Sequence, residues 1–167
     1  MSMQTDVQSV HTNITCLLLS NRTRVKGMVV TGSGSAGYFY LWDSTTAPNS
    51  ATYARNSAGL ITVTQSAHGL SNGQIVGLVF GAGTGGQGTT GNYKVTVLTS
   101  GTYTVQDINA GAITAGAAAL QNSRWLTSID MGANESVAFP LPGEGMLAIN
   151  GLYATVSNLS GLTVFYG

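Results

Sequence analysis

Thr23-Arg24-Val25-Lys26-Gly27-Met28-Val29-Val30-Thr31, then Gly32-Ser33-Gly34-Ser35-Ala36-Gly37, then Tyr38-Phe39-Tyr40-Leu41-Trp42-Asp43 is the stretch whose reading decides the fold. β-Branched and aromatic residues fill its two arms, and their character alternates at every second position, the period of a pleated strand. The Gly/Ser run between them is turn chemistry. The pattern predicts strands over 24–31 and 38–42 with the turn at 32–37. Working outward, 6–11 and 12–19 read as strands on the N-terminal side. From Gly59 the composition becomes Gly/Thr-rich, with Ile61-Thr62-Val63-Thr64, the turn His68 to Gly73, and Ile75 to Phe80. A long glycine loop over 81–91 follows, predicted to be flexible and outward-pointing, and then strands over 93–98 and 103–105. Ala115 to Leu120 offers at most one helical turn, and the glycines around it make it a linker. From Arg124 the earlier style returns, in Trp125-Leu126, Val137 to Phe139, Met146 to Ile149, Leu152 to Val156 and Leu162 to Tyr166. No stretch shows capped helical periodicity. The chain is therefore all-β. Its predicted architecture is an antiparallel, jelly-roll-like β-sandwich of residues 1–56 plus 120–167, interrupted by a small β module at 59–118.

Composition narrows the function classes. The chain has 167 residues, enough for one ordinary domain or a small domain carrying an insert. Only 7% are charged, against about 25% in an average soluble protein. Six Lys+Arg balance six Asp+Glu, so no net field steers the protein to nucleic acid, a membrane or an acidic substrate. A neutral, charge-poor surface gives a free monomer little colloidal protection, which points to a subunit held in contact with other protein. Cys16 lies in the apolar run Cys16-Leu17-Leu18-Leu19 and reads as a small buried hydrophobe. That run is too short for a signal sequence or a membrane span, so assembly in a cytoplasm is expected.

Chemical motifs are sparse. Gly81-Ala82-Gly83-Thr84-Gly85-Gly86 fits a dinucleotide-loop spacing, but that site needs a helix to open directly after it, and more glycine and a strand follow. His68 sits in the tight turn His68-Gly69-Leu70, where a local backbone hydrogen bond is the expected role. One Cys and two distant His cannot close a zinc site, and the carboxylates are scattered without acid/base or calcium-loop spacing. No catalytic, cofactor-binding or metal-binding residue is assigned. Arg22, Arg24 and Lys26 fall on one face of a strand, either a solvated edge that resists aggregation or a contact with an acidic patch on a partner. Tyr38, Tyr40 and Trp42 alternate on the next strand, either as a core stripe or as an exposed platform on which a sugar could stack.

Two resemblances sharpen this reading. Residues 60–105, with His68-Gly69-Leu70-Ser71-Asn72-Gly73-Gln74-Ile75-Val76 and Gly91-Asn92-Tyr93-Lys94-Val95, resemble the small β-barrel module first described in ubiquitin-activating enzymes. The resemblance implies a barrel-like insert of a kind that phage virion proteins often carry. The remainder is similar to a family of small tailed-phage structural proteins. That similarity is carried by the basic strand with Arg22, Arg24, Lys26 and Gly27, and by Trp42-Asp43. It continues in Pro140-Leu141-Pro142-Gly143-Glu144-Gly145, the stretch Gly151 to Ser160, and Val164-Phe165-Tyr166-Gly167. It implies a non-enzymatic virion component, expected as a capsid decoration or cement protein. The alternatives are a tail, neck or fibre component, or a module for a host glycan. Expected partners are the major capsid or other virion proteins and sister copies, in a trimer, with neither nucleic acid nor membrane, and with no cofactor.

Overall fold

The computed structural model describes residues 7–121 and 123–167, and the ordered elements among them are all strands. In chain order these are β1 (Gln8–Thr12), β2 (Cys16–Leu19), β3 (Thr23–Gly32), β4 (Gly37–Asp43), β5 (Asn49–Arg55), β6 (Leu60–Thr64), β7 (Ile75–Phe80), β8 (Ala82–Gly83) and β9 (Gly86–Gln87). They continue as β10 (Gly91–Lys94), β11 (Thr96–Thr99), β12 (Thr102–Gln106), β13 (Ile113–Gln121), β14 (Trp125–Met131), β15 (Ser136–Pro140), β16 (Met146–Ala148), β17 (Leu152–Ser157) and β18 (Leu159–Tyr166). The chain divides into two units, Met1–Ala47 with Leu126–Gly167, and Pro48–Trp125.

The first unit is built from two sheets. One runs β1-β18-β3-β15, with β16 also on β3, and the other runs β14-β4-β17-β2. β3 and β4 are therefore not a hairpin. The Gly/Ser run between them is an arch that carries the chain from one sheet to the other, and Gly37 marks its tightest point: a Cβ there would lie 2.4 Å from the Asn158 carbonyl oxygen. Turn composition announces a change of direction but not which sheet receives the next strand. Val25, Met28 and Val30 of β3 meet Phe39, Leu41, Leu152, Leu162 and Val164 in the core. Strict alternation cannot bury Val25, Met28 and Val30 together. A bulge resolves this, because Phe165 pairs with Gly27 and Tyr166 with Val25, leaving Lys26 as the extra residue. Asp43, at the end of β4, is buried and accepts from the Ile149 and Asn150 amides at 2.8 and 2.7 Å, which fixes the turn between β16 and β17.

The second unit is one antiparallel sheet, ordered β10-β7-β13-β5-β6-β12-β11. Its outer strands β10 and β11 are separated in the chain only by the buried Val95, so the sheet curls into a nearly closed barrel. Tyr53, Ile61, Val63, Leu78, Phe80 and Tyr103 are among the residues that fill it. Three details differ from the sequence reading. β5 belongs to this sheet, so the unit begins about ten residues before the change in composition at Gly59. The alanine-rich segment is neither helix nor linker but the inner strand β13, paired with both β5 and β7. At Gly116 the strand has no room for a side chain, because that residue lies directly against the Tyr53 ring. The glycine loop is tied down as well. β8 and β9 form a two-strand hairpin, Thr84 exchanges two backbone hydrogen bonds with Thr114, and Gly88 donates to the Tyr53 hydroxyl.

β4 and β14 flank the second unit in sequence and are neighbours in their sheet, so the unit occupies what would otherwise be a short connection. Loop-closure entropy grows slowly with length, so such a site tolerates an insert. Joining Ala47 to Leu126 through a short Gly/Ser linker should leave a chain with a β-type circular dichroism spectrum and one cooperative unfolding transition. Aggregation of that chain would contradict the parsing.

Candidate functional site

The basic cluster stands on the β2–β3 turn and the start of β3. Arg22 is exposed, while Arg24 and Lys26 are half-buried. All three line one shallow hollow of about 350 Å³, together with Glu144 and Leu147. The Pro140–Gly145 turn folds back over β3 to place Glu144 there. Arg24 Nε lies 3.6 Å from Glu144 Oε2, and Lys26 Nζ donates to the Glu144 carbonyl oxygen at 3.3 Å. Gly145 permits this approach: it has φ +72°, and a Cβ would sit 2.1 Å from the Val25 carbonyl oxygen. With Glu144 82% exposed, the ion pair contributes at most about 1 kcal/mol. The cluster is thus a mildly positive surface rather than a locked network.

The aromatic stripe splits in two. Tyr38 and Tyr40 are half-buried and stack on each other at 4.8 Å. Trp42 is fully buried, and its indole N–H donates to Thr155 Oγ1 at 3.1 Å. An exposed platform of all three rings is therefore corrected: Trp42 presents no face to a ligand. Burial, then the neighbouring Tyr38 and Asp130, push the Tyr40 hydroxyl up to about 12, so it stays a neutral hydrogen-bonding group at physiological pH. Trp42→Ala should cost the protein about 3–5 kcal/mol as a core deletion. A urea titration that finds less than about 1 kcal/mol would show the ring to be dispensable to packing.

The titratable groups weighed for catalysis have structural partners. His68 Nδ1 accepts from the Leu70 amide at 3.0 Å and Nε2 bonds the Thr99 carbonyl at 2.9 Å, the local role expected from its turn. His11 bonds the Thr163 hydroxyl at 2.9 Å. Asp107, inside the second unit, is paired with Arg55 at 2.5 Å, with side chains 0% and 6% exposed respectively. Arg55 also donates to the Gly111 and Ala110 carbonyls. This clasp escaped the sequence reading because its two members lie far apart in the chain. No group of three His, Cys, Asp or Glu positioned to hold a metal exists among the described residues.

The hollow that sequence could not reveal is a cleft of about 520 Å³ at the mouth of the first unit. It lies between the end of β2 and the paired ends of β1 and β18, lined by Leu18, Leu19, Tyr166, Gln8 and Arg22. β1 and β2 are the outermost strands of their sheets, and residues 7–21 contain no Lys, Arg, Asp or Glu. In and beside these two strands in the chain, Val7, Ile14 and Leu17 are exposed, at 60%, 64% and 41%.

No protein-family model and no curated protein matches the chain. Among solved structures, a phage phi92 endosialidase chain is similar at a TM-score of 0.35 and 17% identity, over 80% of this chain and 20% of that one. The chain thus spans about a fifth of that protein, and a likeness at this level carries no argument about activity.

Proposed function

We propose that this chain is a non-enzymatic structural subunit of a tailed-phage particle, acting as a decoration or cement protein on the head and assembling as a trimer. The observation that carries the reading is the pair of charge-free edge strands β1 and β2, which end their sheets with the exposed Val7, Ile14 and Leu17 in or beside them in the chain. Exposed strand edges are ordinarily blunted by lysine, proline or a covering loop. An edge strand with no charge is suited to contact with protein, and each apolar square ångström removed from water there adds about 25 cal/mol before association costs. The segments that carry the resemblance to tailed-phage structural proteins support the reading. They form the Glu144 turn over β3, the β17-to-β18 arch and the end of β18, all within this sandwich.

Quantitative mass spectrometry of purified particles tests it. A head subunit should be present in on the order of hundreds of copies, whereas a tail or neck subunit would give on the order of ten. Absence from particles, together with a monomer by analytical ultracentrifugation, would overturn the proposal.

A further inference from the structure

The open side of the sandwich carries a specific chemistry. Its cleft mixes apolar and polar lining: Leu18, Leu19 and Tyr166 supply the apolar part, and Arg22 is the charged side chain among the rest. Arg22 is exposed and has no ion pair or hydrogen bond among the described residues. In the adjoining hollow, Arg22, Arg24 and Lys26 face the single carboxylate side chain of Glu144, so positive side-chain charge is in excess. Beside the cleft, β1 pairs with β18 over Gln8 to Thr12 without a register shift, and its other edge has no strand partner among the described residues.

From these features we propose that this side binds an extended segment of a partner protein in which aliphatic residues alternate with carboxylates. The segment adds to the free edge of β1 as a further strand. An aliphatic side chain at its end rests on Leu18, Leu19 and Tyr166, and a carboxylate pairs with Arg22. Strand addition suits the place because β1 presents backbone donors and acceptors with no charge, proline or bulge in the way. The excess of cations selects the sign of the partner. An acidic polysaccharide fits less well, since it would leave the β1 edge unpaired and find one aromatic ring, Tyr166, in the cleft lining. The inference rests on the virion-subunit reading only in taking the partner to be a protein.

The test uses the full chain and an immobilised array of peptides about ten residues long, a typical strand length. In one set Val, Ile or Leu alternates with Asp, Glu, Ser or Thr, and in the matched set Lys replaces Asp and Glu. Binding should concentrate in the acidic set. Arg22→Glu and Gln8→Glu, both exposed substitutions, should each weaken the best peptides about tenfold, and added salt should do likewise. Equal binding to the lysine set, or affinity unaffected by Arg22→Glu, would overturn the proposal. So would no binding to either set, or retention of a sulfated polysaccharide in place of the peptides. Particles that contain the protein while the array stays blank would sink this inference and leave the structural role standing.

Discussion

Asp107→Asn should destabilise the second unit by about 3–5 kcal/mol, because it strands the Arg55 guanidinium as an unpaired charge in a site closed to water. The carboxylate does more than face one cation. It also accepts from the Thr89 amide and the Asn109 amide, each at 3.2 Å, and so ties the β9–β10 connection and the β12–β13 connection to β5. Replacing both partners by apolar residues should recover only part of the loss, since the half-buried Thr89 amide and the Asn109 amide would also lose their acceptor. Hydrogen exchange read by mass spectrometry separates the units: peptides from 48–125 should lose protection while those from 126–167 keep it.

The same carboxylate sets an acid response. Burial on its own would raise the Asp107 value, but hydrogen bonds from Thr89, Arg55 and Asn109 outweigh it and hold the group below its ordinary 3.8. A carboxyl depressed by folding contributes stability that is complete above the unfolded value and disappears as pH falls through the folded one. Unfolding midpoints for the native chain should therefore drop as pH goes below about 4. Asp107→Asn should remove that component of the slope, and an unchanged slope would assign the acid sensitivity to other groups.

How much of this was legible in the sequence depends on what each residue's role requires. Phe39 and Leu41 could be placed on one face of a strand because alternation is local, and the all-β class follows from many such segments. The Gly/Ser run at 32–37 showed that the chain turns, yet whether it turns within a sheet or between sheets is decided by Gly37 meeting Asn158, a contact more than a hundred residues away in the chain. Arg22, Arg24 and Lys26 do gather in one hollow, although the Lys26 bulge and the β2–β3 turn, not simple alternation, bring them there. The cleft was invisible because Gln8, Leu18, Leu19 and Tyr166 meet only once β1 has paired with β18. Asn49–Arg55 and Ile113–Gln121 misled for a related reason. Small and polar residues have weak strand propensity, and only the large residue packed opposite explains them.

Gly116→Val shows this dependence most directly and should prevent the second unit from reaching its native packing. Even a Cβ at this position would lie 2.0 Å from Tyr53 Cε1 and 2.4 Å from Cζ, contacts no structure tolerates without movement. Tyr53 has nowhere to go. Its hydroxyl donates to the Gly81 carbonyl at 2.8 Å and accepts from the Gly88 amide at 3.0 Å, and its ring packs 4.6 Å from that of Phe80. Overpacking a filled core typically costs about 1–3 kcal/mol. Here the displaced ring would also release both ends of the glycine hairpin, so a loss above about 3 kcal/mol is expected for Val and a smaller one for Ala. A double-mutant cycle isolates the cause. Tyr53→Leu alone should destabilise by forfeiting the ring and both hydrogen bonds, but in that background Gly116→Ala should cost at least about 1 kcal/mol less than in the native chain. If the two losses simply add, the strain lies in the β13 backbone rather than against the ring. The alanines beside Gly116 would then be small for a reason unconnected with Tyr53.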